Sequence, residues 1–556
     1  MSIIVALIDP MAPGIRLYFL GIILFLLYAH IIIWPAFLFL FNIPLSSLVF
    51  PLSVLLWFIG GWYIQKHLSG DAKKGEYFFN TVFAGFIFAL TLIFTQSFYD
   101  TSFDGNWYHM DAVYNIMAGW NPVYTQLLPQ QTSYCEPYLN HFPKCSWIYG
   151  ANVSMFFGLI ETGKSGTLLL LIAGLLIWQH VAKEALGLNT FASWTFSLLI
   201  AANPVQMLNI LTFYTDGQLS SMFSIAIGFA LLFVKNKNGF AVIFALLALA
   251  LLANYKFTSA IYAGILAFFL FIYCWNHQFK NYKKLLLIFA CWGLFTYVII
   301  GFNPYITNTI HHQHPFYPLS ESSERVFSKK NIYPANFLEM NWVQKFFNSV
   351  FAEPSWNRNP DKSALKVLFG HTNLHSYTSG VPDLAGFGPM VPEVLVLLIP
   401  AFLFACFFKP NKKIVPVLLF MGVVTSTIII NPEAWVLRYV PQFWLFILAM
   451  LYVVWVHPKV KYIAWLLAFG LLMNTYMITR EYIQSNHDKT QALEAQFSLI
   501  KQDLFQYQIY HGWTNSFKNR LGAVGFDTAH LVWIPPEDST SIEFVGSLGA
   551  RFRKIK

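Results

Sequence analysis

Apolar stretches recur along the chain at the roughly 17–25-residue length with which a helix crosses a bilayer. Thirteen candidate spans are counted, near 17–41, 44–65, 77–97, 166–186, 190–210, 217–234, 240–254, 258–275, 285–301, 393–408, 414–430, 441–457 and 462–479. Runs such as Phe240–Ala253 and Val391–Phe408 carry almost no polar groups. In hydrocarbon a backbone must satisfy its own hydrogen bonds, so helix is the expected form. The pattern predicts an all-α polytopic membrane protein with about thirteen transmembrane helices.

Three longer polar pieces interrupt or follow these runs: about 98–165, about 302–392 and 480–556. The first two exceed the usual length of idle turns, and such loops tend to carry function. The tail opens on a polar, helix-prone run, Glu481–Gln506. It closes on strand-like pieces around Leu531–Ile534 and Ser541–Phe544. The expected organisation is a membrane domain, 1–479, and a small mixed tail, 480–556.

Composition narrows the class. Hydrophobic residues make up 56% of the 556 positions and charged residues 11%, against about 25% charged in a soluble domain. A disordered chain, a coiled coil, a basic nucleic-acid binder and an ordinary soluble enzyme are therefore poor fits. The net charge of +9 reads as topology. With the N-terminus inside, Arg16 and the short loops 66–76, 183–188, 235–239, 276–284, 409–413 and 457–461 hold 15 of the 35 Lys and Arg residues. The acids expected on the same side number four: Asp9 near the N-terminus, and Asp71, Glu76 and Glu184 in these loops. Positive charge collects inside, which puts the C-terminus and the three long pieces outside the membrane. No small-residue cleavage site follows the first span, so it is not expected to be a removed signal peptide. Cys274, Cys291 and Cys406 lie in or beside spans, while Cys135 and Cys145 share the first outside loop, bonded or as free thiols.

The first outside loop opens Tyr99-Asp100-Thr101-Ser102-Phe103-Asp104-Gly105-Asn106-Trp107-Tyr108-His109-Met110-Asp111. Carboxylates this dense at a membrane surface, among Trp107, Tyr108 and His109, point to chemistry rather than to caps alone. Gly105 is expected to let the chain turn sharply, with a helix starting near Asn106 and Asp104 at its anion-favouring N-terminus. A second acid, Asp216, follows Asn203-Pro204 and Phe213-Tyr214-Thr215 at the outer end of the sixth span. The two carboxylates could supply a base and an acidic partner, or share a divalent metal; capping is the alternative for Asp216.

Three cations sit at outer membrane edges: Lys144, Lys256 and Arg438. A charge beside hydrocarbon calls for a partner. Lipid phosphate is the expected one for Lys256 and Arg438, and snorkelling to the headgroups the main alternative, favoured for Lys144. Gly158-Leu159-Ile160-Glu161-Thr162-Gly163-Lys164-Ser165 has Walker A spacing. It lacks the preceding strand and the cytosolic side that a P-loop needs, so no ATP site is expected. His311, His312 and His314 are spaced poorly for one helical face; with Tyr305 they read as substrate-lining rather than zinc-binding. The run Asp383-Leu384-Ala385-Gly386-Phe387-Gly388-Pro389 reads as an irregular turn packed on the membrane domain.

Taken together, an acid in the first long outside loop (Asp104, with Asp100 before it), a second acid in the next outside loop (Asp216), basic residues at outer helix ends (Lys256, Arg438) and the span layout resemble the GT-C class of membrane glycosyltransferases. The resemblance implies an inverting hexosyl- or pentosyltransferase of cell-envelope glycan biosynthesis, in a bacterial inner or plasma membrane. Its donor would be a sugar on polyprenyl phosphate, and its acceptor a glycan, lipid or protein. Asp104 would be the general base, Asp216 and Asp100 would orient the acceptor or hold a divalent metal, and Lys256 and Arg438 would neutralise the leaving phosphate. Tyr108, His109, Lys144, Tyr305 and His314 complete the expected substrate-binding set, and Trp107, Trp120, Trp147, Trp342 and Trp356 could stack on sugars or belong to an interfacial belt. No nucleic acid or ATP is expected as a partner. The competing readings are a lipid-linked glycan polymerase or ligase, which would lean on outside Arg and His residues, and a transporter or flippase, which would need charged or broken helices near mid-bilayer.

Overall fold

The computed structural model describes residues 13–68, 74–132, 134–237, 239–277, 282–319, 334–355, 365–408, 414–502, 506–536 and 538–555. Asp9, Trp356 and the expected inner turns at 69–73, 278–281 and 409–413 lie outside the described residues.

The chain is a multi-span, mostly α-helical membrane protein. Among the described residues, seven helices have the length and apolarity to cross a bilayer: Leu17–Phe39, Tyr77–Gln96, Ile160–Glu184, Asp216–Asn236, Phe257–His277, Tyr282–Ile300 and Lys461–Gln502. The other expected spans coincide with shorter apolar helices, at Val49–Ile64, Thr190–Ala201, Gly239–Leu252, Val391–Phe407, Ile414–Ile429 and Phe443–Val456. These fall at or below the shortest stretch that usually crosses, so seven full-length candidates are what the helices themselves support.

Burial sorts the helices into an inner and an outer set. Asp216–Asn236 and Leu17–Phe39 are mostly enclosed by protein, whereas Tyr282–Ile300 is mostly open. Leu17–Phe39 packs along the helix Ser165–Glu184. Gly21 permits this: a Cβ there would sit 3.0 Å from Ile177 and Leu176 side-chain atoms and 3.1 Å from the Ala173 carbonyl. Gly166 does the same against the rings of Tyr149 and Tyr28. Small residues at such crossings let membrane helices gain dispersion contact where no hydrophobic drive separates helix from lipid.

The last membrane helix does not stop at the expected domain boundary. It runs unbroken from Lys461 to Gln502 and carries residues 480–502 into the tail. There Leu493, Phe497 and Ile500 join Ile509, Phe517, Leu521, Phe526, Phe544 and Phe552 in a core of their own. The tail sheet is antiparallel, with strands β1 (Tyr507–Tyr510), β2 (Ile542–Glu543) and β3 (Arg551–Lys554) in the order β1-β3-β2. The expected strand at Leu531–Ile534 is extended chain outside this sheet, attached through Val532 N to the Ile509 carbonyl at 2.9 Å.

Cys135 and Cys145 are separate buried thiols. Cys135 Sγ lies 2.6 Å from the Thr132 carbonyl and 3.6 Å from Asp111 Oδ2. Protein unfolded without reductant should therefore titrate five free thiols per chain, the full cysteine count. A count of three in that assay would mean that the first loop is bonded.

Candidate functional site

The first loop is stitched before it reaches the site. The Asp100 side chain is fully enclosed. Its Oδ1 accepts from Ser102 N at 2.8 Å and Ser102 Oγ at 2.6 Å, and its Oδ2 from Phe213 N at 2.7 Å. Burial pushes this carboxyl above its ordinary range, against the pull of Lys164 and Ser102. Asp100 thus joins the first loop to the segment at Phe213 as scaffold, in place of the expected substrate contact. Gly105 has an ordinary negative φ rather than a special turn geometry. It is needed because a Cβ there would lie 2.3 Å from both Asp100 Oδ2 and Ser102 Oγ. The helical turn begins at Phe103, before Asn106, and widens into a π-helical turn over Gly105–His109. Asp104 is therefore inside the first turn (φ −66°, ψ −29°), makes no capping bond, and leaves its carboxylate free to reach outward.

Five segments between or beside the apolar helices converge around Asp104. Arg438 Nη1 is 3.3 Å from Asp104 Oδ2, and Arg438 Nε is 3.8 Å from Asp383 Oδ1. Lys256 Nζ is 2.5 Å from Asp216 Oδ1. The Tyr439 ring stands between the two pairs, with Lys256 Nζ 5.0 Å and Arg438 Cζ 5.3 Å from its centroid. Arg438 also lies 5.3 Å from the Tyr214 ring, whose hydroxyl accepts from Asp104 N at 3.2 Å. The charged side chains of Asp104, Asp383, Arg438 and Lys256 are 20%, 19%, 13% and 24% exposed, whereas Asp216 is 2% exposed. The charged cluster is thus partly exposed, with Asp216 its most buried member.

Local structure fixes each member. Asp216 is the first residue of its helix. Gly217 lets that helix start pack against Asn209 and Thr167, since a Cβ would meet them at 2.8 and 2.9 Å. Lys256 lies in the tight turn between two apolar helices, where its N–H donates to Ser259 Oγ at 3.0 Å. The Tyr439 carbonyl accepts from Tyr262 OH at 3.2 Å, which in turn accepts from Asn431 Nδ2 at 2.9 Å.

Electrostatics follow from this packing. Burial works against the charge on Arg438, but Tyr439, Asp104, Tyr214 and Asp383 around it more than restore it, so the guanidinium stays charged. Burial, helped by Lys256 and Arg438, holds the His109 imidazole well below its ordinary value. His109 is thus neutral; its Nδ1 accepts from Trp147 Nε1 at 2.8 Å, leaving the proton on Nε2. Tyr108 is buried beside Asp104, Arg438, Tyr439 and Asp216, and burial raises its hydroxyl pKa well above the usual range.

Three expected site residues are elsewhere. Lys144 is buried, with its ammonium on the Asn140 and Phe142 carbonyls and 5.3 Å from the Trp147 ring. Burial takes its pKa well below the ordinary lysine value. Neither the open phosphate contact nor the snorkelling expected of it is what the structure places there. Tyr305 is buried, its hydroxyl donating to the Ala253 carbonyl at 2.5 Å. His314 Nδ1 accepts from Phe316 N at 3.1 Å, while His312 stacks on Tyr317 with ring centroids 3.6 Å apart. The three histidines do not form one site.

Four participants escaped the sequence reading: Asp383, Tyr214, Tyr439 and Arg520. The first sits in the Gly/Pro-rich turn, and the two tyrosines stand next to residues already singled out. Arg520 comes from the tail helix Asn515–Ala523 and is 1% exposed. Its Nη1 reaches Asn106 Oδ1 at 3.1 Å and its Nη2 reaches Glu161 Oε1 at 2.6 Å. Both nitrogens lie 3.2 Å from the Asp100 carbonyl. Glu161 Oε2 also accepts from Asp100 N at 3.1 Å and pairs with Lys164 at 2.6 Å. The Walker-like segment is thus a buried ionic joint under the first loop, with Lys164 wholly enclosed.

Comparison with family models, curated proteins and solved structures returns no match to this chain. Among the described residues, no three His, Cys, Asp or Glu side chains gather to hold a metal ion. Asp104 and Asp216 each face a cation rather than one another. They do not fit a shared divalent site, and no step below uses one.

Removing one partner of a buried ion pair strands the other charge, at a cost of about 3–5 kcal/mol. Arg520→Ala should lower unfolding stability in lipid or detergent by about that amount, with a smaller loss for Arg520→Lys. Chemical unfolding midpoints check this; an unchanged midpoint in Arg520→Ala would show that the tail joint carries no weight.

Proposed function

We propose that the chain is an inverting glycosyltransferase that moves a sugar from a polyprenyl-phosphate donor to an acceptor hydroxyl on the outer face of a membrane, with its N-terminus inside and its C-terminus outside. One observation carries the reading. Asp104 and Asp216, each paired with a cation from an outer helix end, gather about Tyr439 in one partly open cluster on a multi-span body. An apolar helical body suits a polyprenyl tail, and cations at the membrane edge suit its phosphate.

In the proposed reaction Asp104 accepts the proton of the acceptor hydroxyl. The oxygen attacks the anomeric carbon from the side opposite the lipid phosphate. The new carbon–oxygen bond forms as the bond to the phosphate oxygen breaks, and that oxygen leaves with the electron pair. Configuration inverts. Lys256 and Arg438 face the growing negative charge, where fixed electrostatic stabilisation counts most. Both cations are engaged by carboxylates without substrate, so donor binding is an exchange of partners: phosphate takes up part of the charge that Asp104 and Asp216 now hold. That exchange frees Asp104 to face the acceptor. Neutral His109 and buried Tyr108 shape the wall without adding charge.

Asp104→Asn should lower transfer by about 100- to 10,000-fold, the usual contribution of a general base, with expression kept and only a small fall in unfolding midpoint, since Asp383 still faces Arg438. The check is transfer from polyprenyl-phosphate sugar in proteoliposomes, together with mass spectrometry of lipid-linked sugars that build up when the protein is deleted. Undiminished transfer in the Asn variant would remove Asp104 as base; no change in lipid-linked sugars on deletion would count against the reaction itself.

Lys256→Ala should raise the donor KM at least several-fold, since a charge-assisted contact to phosphate is lost. The variant also leaves Asp216 without its cation, so Lys256→Arg serves as a comparison and should retain most donor binding. Equal donor KM in wild type and Lys256→Ala would leave Lys256 as a partner of Asp216 alone.

A further inference from the structure

The outside loop before the Val391–Phe407 helix carries apolar side chains that its own fold leaves open. Asn341 caps the helix Trp342–Val350, accepting from Gln344 N at 3.0 Å. One face buries Phe346, Ser349 and Val350. On another, Val343 and Phe347, one turn apart, are 51% and 56% exposed. The chain returns beside this helix at Leu365, which bridges Ala352 in antiparallel fashion. Leu365, Val367 and Phe369 are then 62%, 72% and 75% exposed. In water such a patch would be an aggregation liability.

Its attachments say what covers it. Trp342 Nε1 donates to the Asn431 carbonyl at 2.9 Å, two residues past the outer end of the Ile414–Ile429 helix. Ile429 and Ile430 there are 60% and 51% exposed. On the other side Lys366 pairs with Glu393, and Phe369 N donates to the same carboxylate at 3.1 Å, in the first turn of Val391–Phe407. The patch is therefore pinned to the outer ends of two apolar helices and continues their open apolar surface.

We propose that the helix Trp342–Val350 and the segment 365–369 form a ledge that lies in the outer leaflet, with Val343, Phe347, Val367 and Phe369 among the acyl chains just below the headgroups. An amphipathic helix with an apolar face and a polar opposite face takes this position in a bilayer. The ledge also fixes the level of the charged cluster. The Ser349 carbonyl at the end of the ledge helix accepts from Ala385 N at 3.0 Å, and the Ser355 carbonyl just beyond it from Leu384 N at 3.2 Å, so the two residues that follow Asp383 are held against it. Asp383, and Arg438 with it, are held beside the headgroups. The inference needs only a membrane-spanning chain and stands whether or not the transferase reading does.

The test uses the full chain in nanodiscs of phosphatidylethanolamine and phosphatidylglycerol, with benzoylphenylalanine placed singly at Val343, Phe347, Phe369 or, as a control on the tail sheet, Glu543. Ultraviolet irradiation followed by mass spectrometry should give phospholipid adducts at the first three positions and at least ten-fold less at Glu543. Absence of lipid adducts at the three positions, adducts of equal yield at Glu543, or crosslinks joining two copies of the chain would each overturn the ledge. Since no sugar transfer is measured, this outcome and that of the Asp104→Asn assay are independent.

Discussion

A charge at the edge of hydrocarbon persists only with an opposite charge or strong donors beside it, because desolvation costs several kcal/mol per ion. That constraint organises the charged end of this helical body. Asp216 is nearly inaccessible and keeps Lys256 at 2.5 Å; Arg438 is enclosed by Asp104, Asp383 and two tyrosine rings. The two pairs share Tyr439 as a wall. Five chain segments have to meet for both pairs to form, so the cluster reports on the whole arrangement of the surrounding helices. A surface ion pair would contribute little, but these are partly withdrawn from water and their loss would leave charge stranded.

The tail applies the same rule one layer down. Arg520 crosses from the tail helix into the space under the first loop and meets Glu161, Asn106 and the Asp100 carbonyl. Burial opposes its charge, and Glu161, Tyr114 and Asp100 hold it. Asp100 in turn bonds Phe213, which leads into Tyr214 and Asp216. Hydrogen bonds joined by short stretches of backbone therefore link the tail to both halves of the cluster. The long helix Lys461–Gln502 makes this possible, since it carries the tail outward without a flexible joint.

Much of this was legible in the chain and some was not, for identifiable reasons. Apolar runs locate the helices because hydrocarbon admits little else; of the thirteen runs, seven match described helices of full crossing length, while others, such as Thr190–Ala201 and Gly239–Leu252, are apolar but short. Asp104, Asp216, Lys256 and Arg438 stood out as charges beside hydrocarbon. Their pairing did not, because separations of 40 and 334 positions leave no local pattern. Asp100 drew attention by proximity to Asp104, yet four positions along the chain separate a buried scaffold from an open carboxylate. Asp383 was hidden in a run that reads as a turn, and Arg520 in a tail whose sequence shows no feature at that position.

The Walker-like run shows most plainly how context overrides a motif. Its lysine is where a phosphate-binding lysine would be in the spacing, but the preceding chain is helix rather than strand, and Glu161 three residues earlier closes on Lys164. The same ammonium donates to the Phe98 carbonyl, at the outer end of the Tyr77–Gln96 helix. Glycine at 163 lies against Gly150, where a Cβ would be 2.9 Å from its carbonyl. Gly163 and Lys164 are thus explained by close packing under the first loop, and Gly158 by its left-handed φ of 71° at the end of the helix Cys145–Phe157. Spacing identifies chemistry only when the backbone that presents it is also right, and here the presented chemistry is a joint that steadies Asp100, one turn before the carboxylate that faces outward.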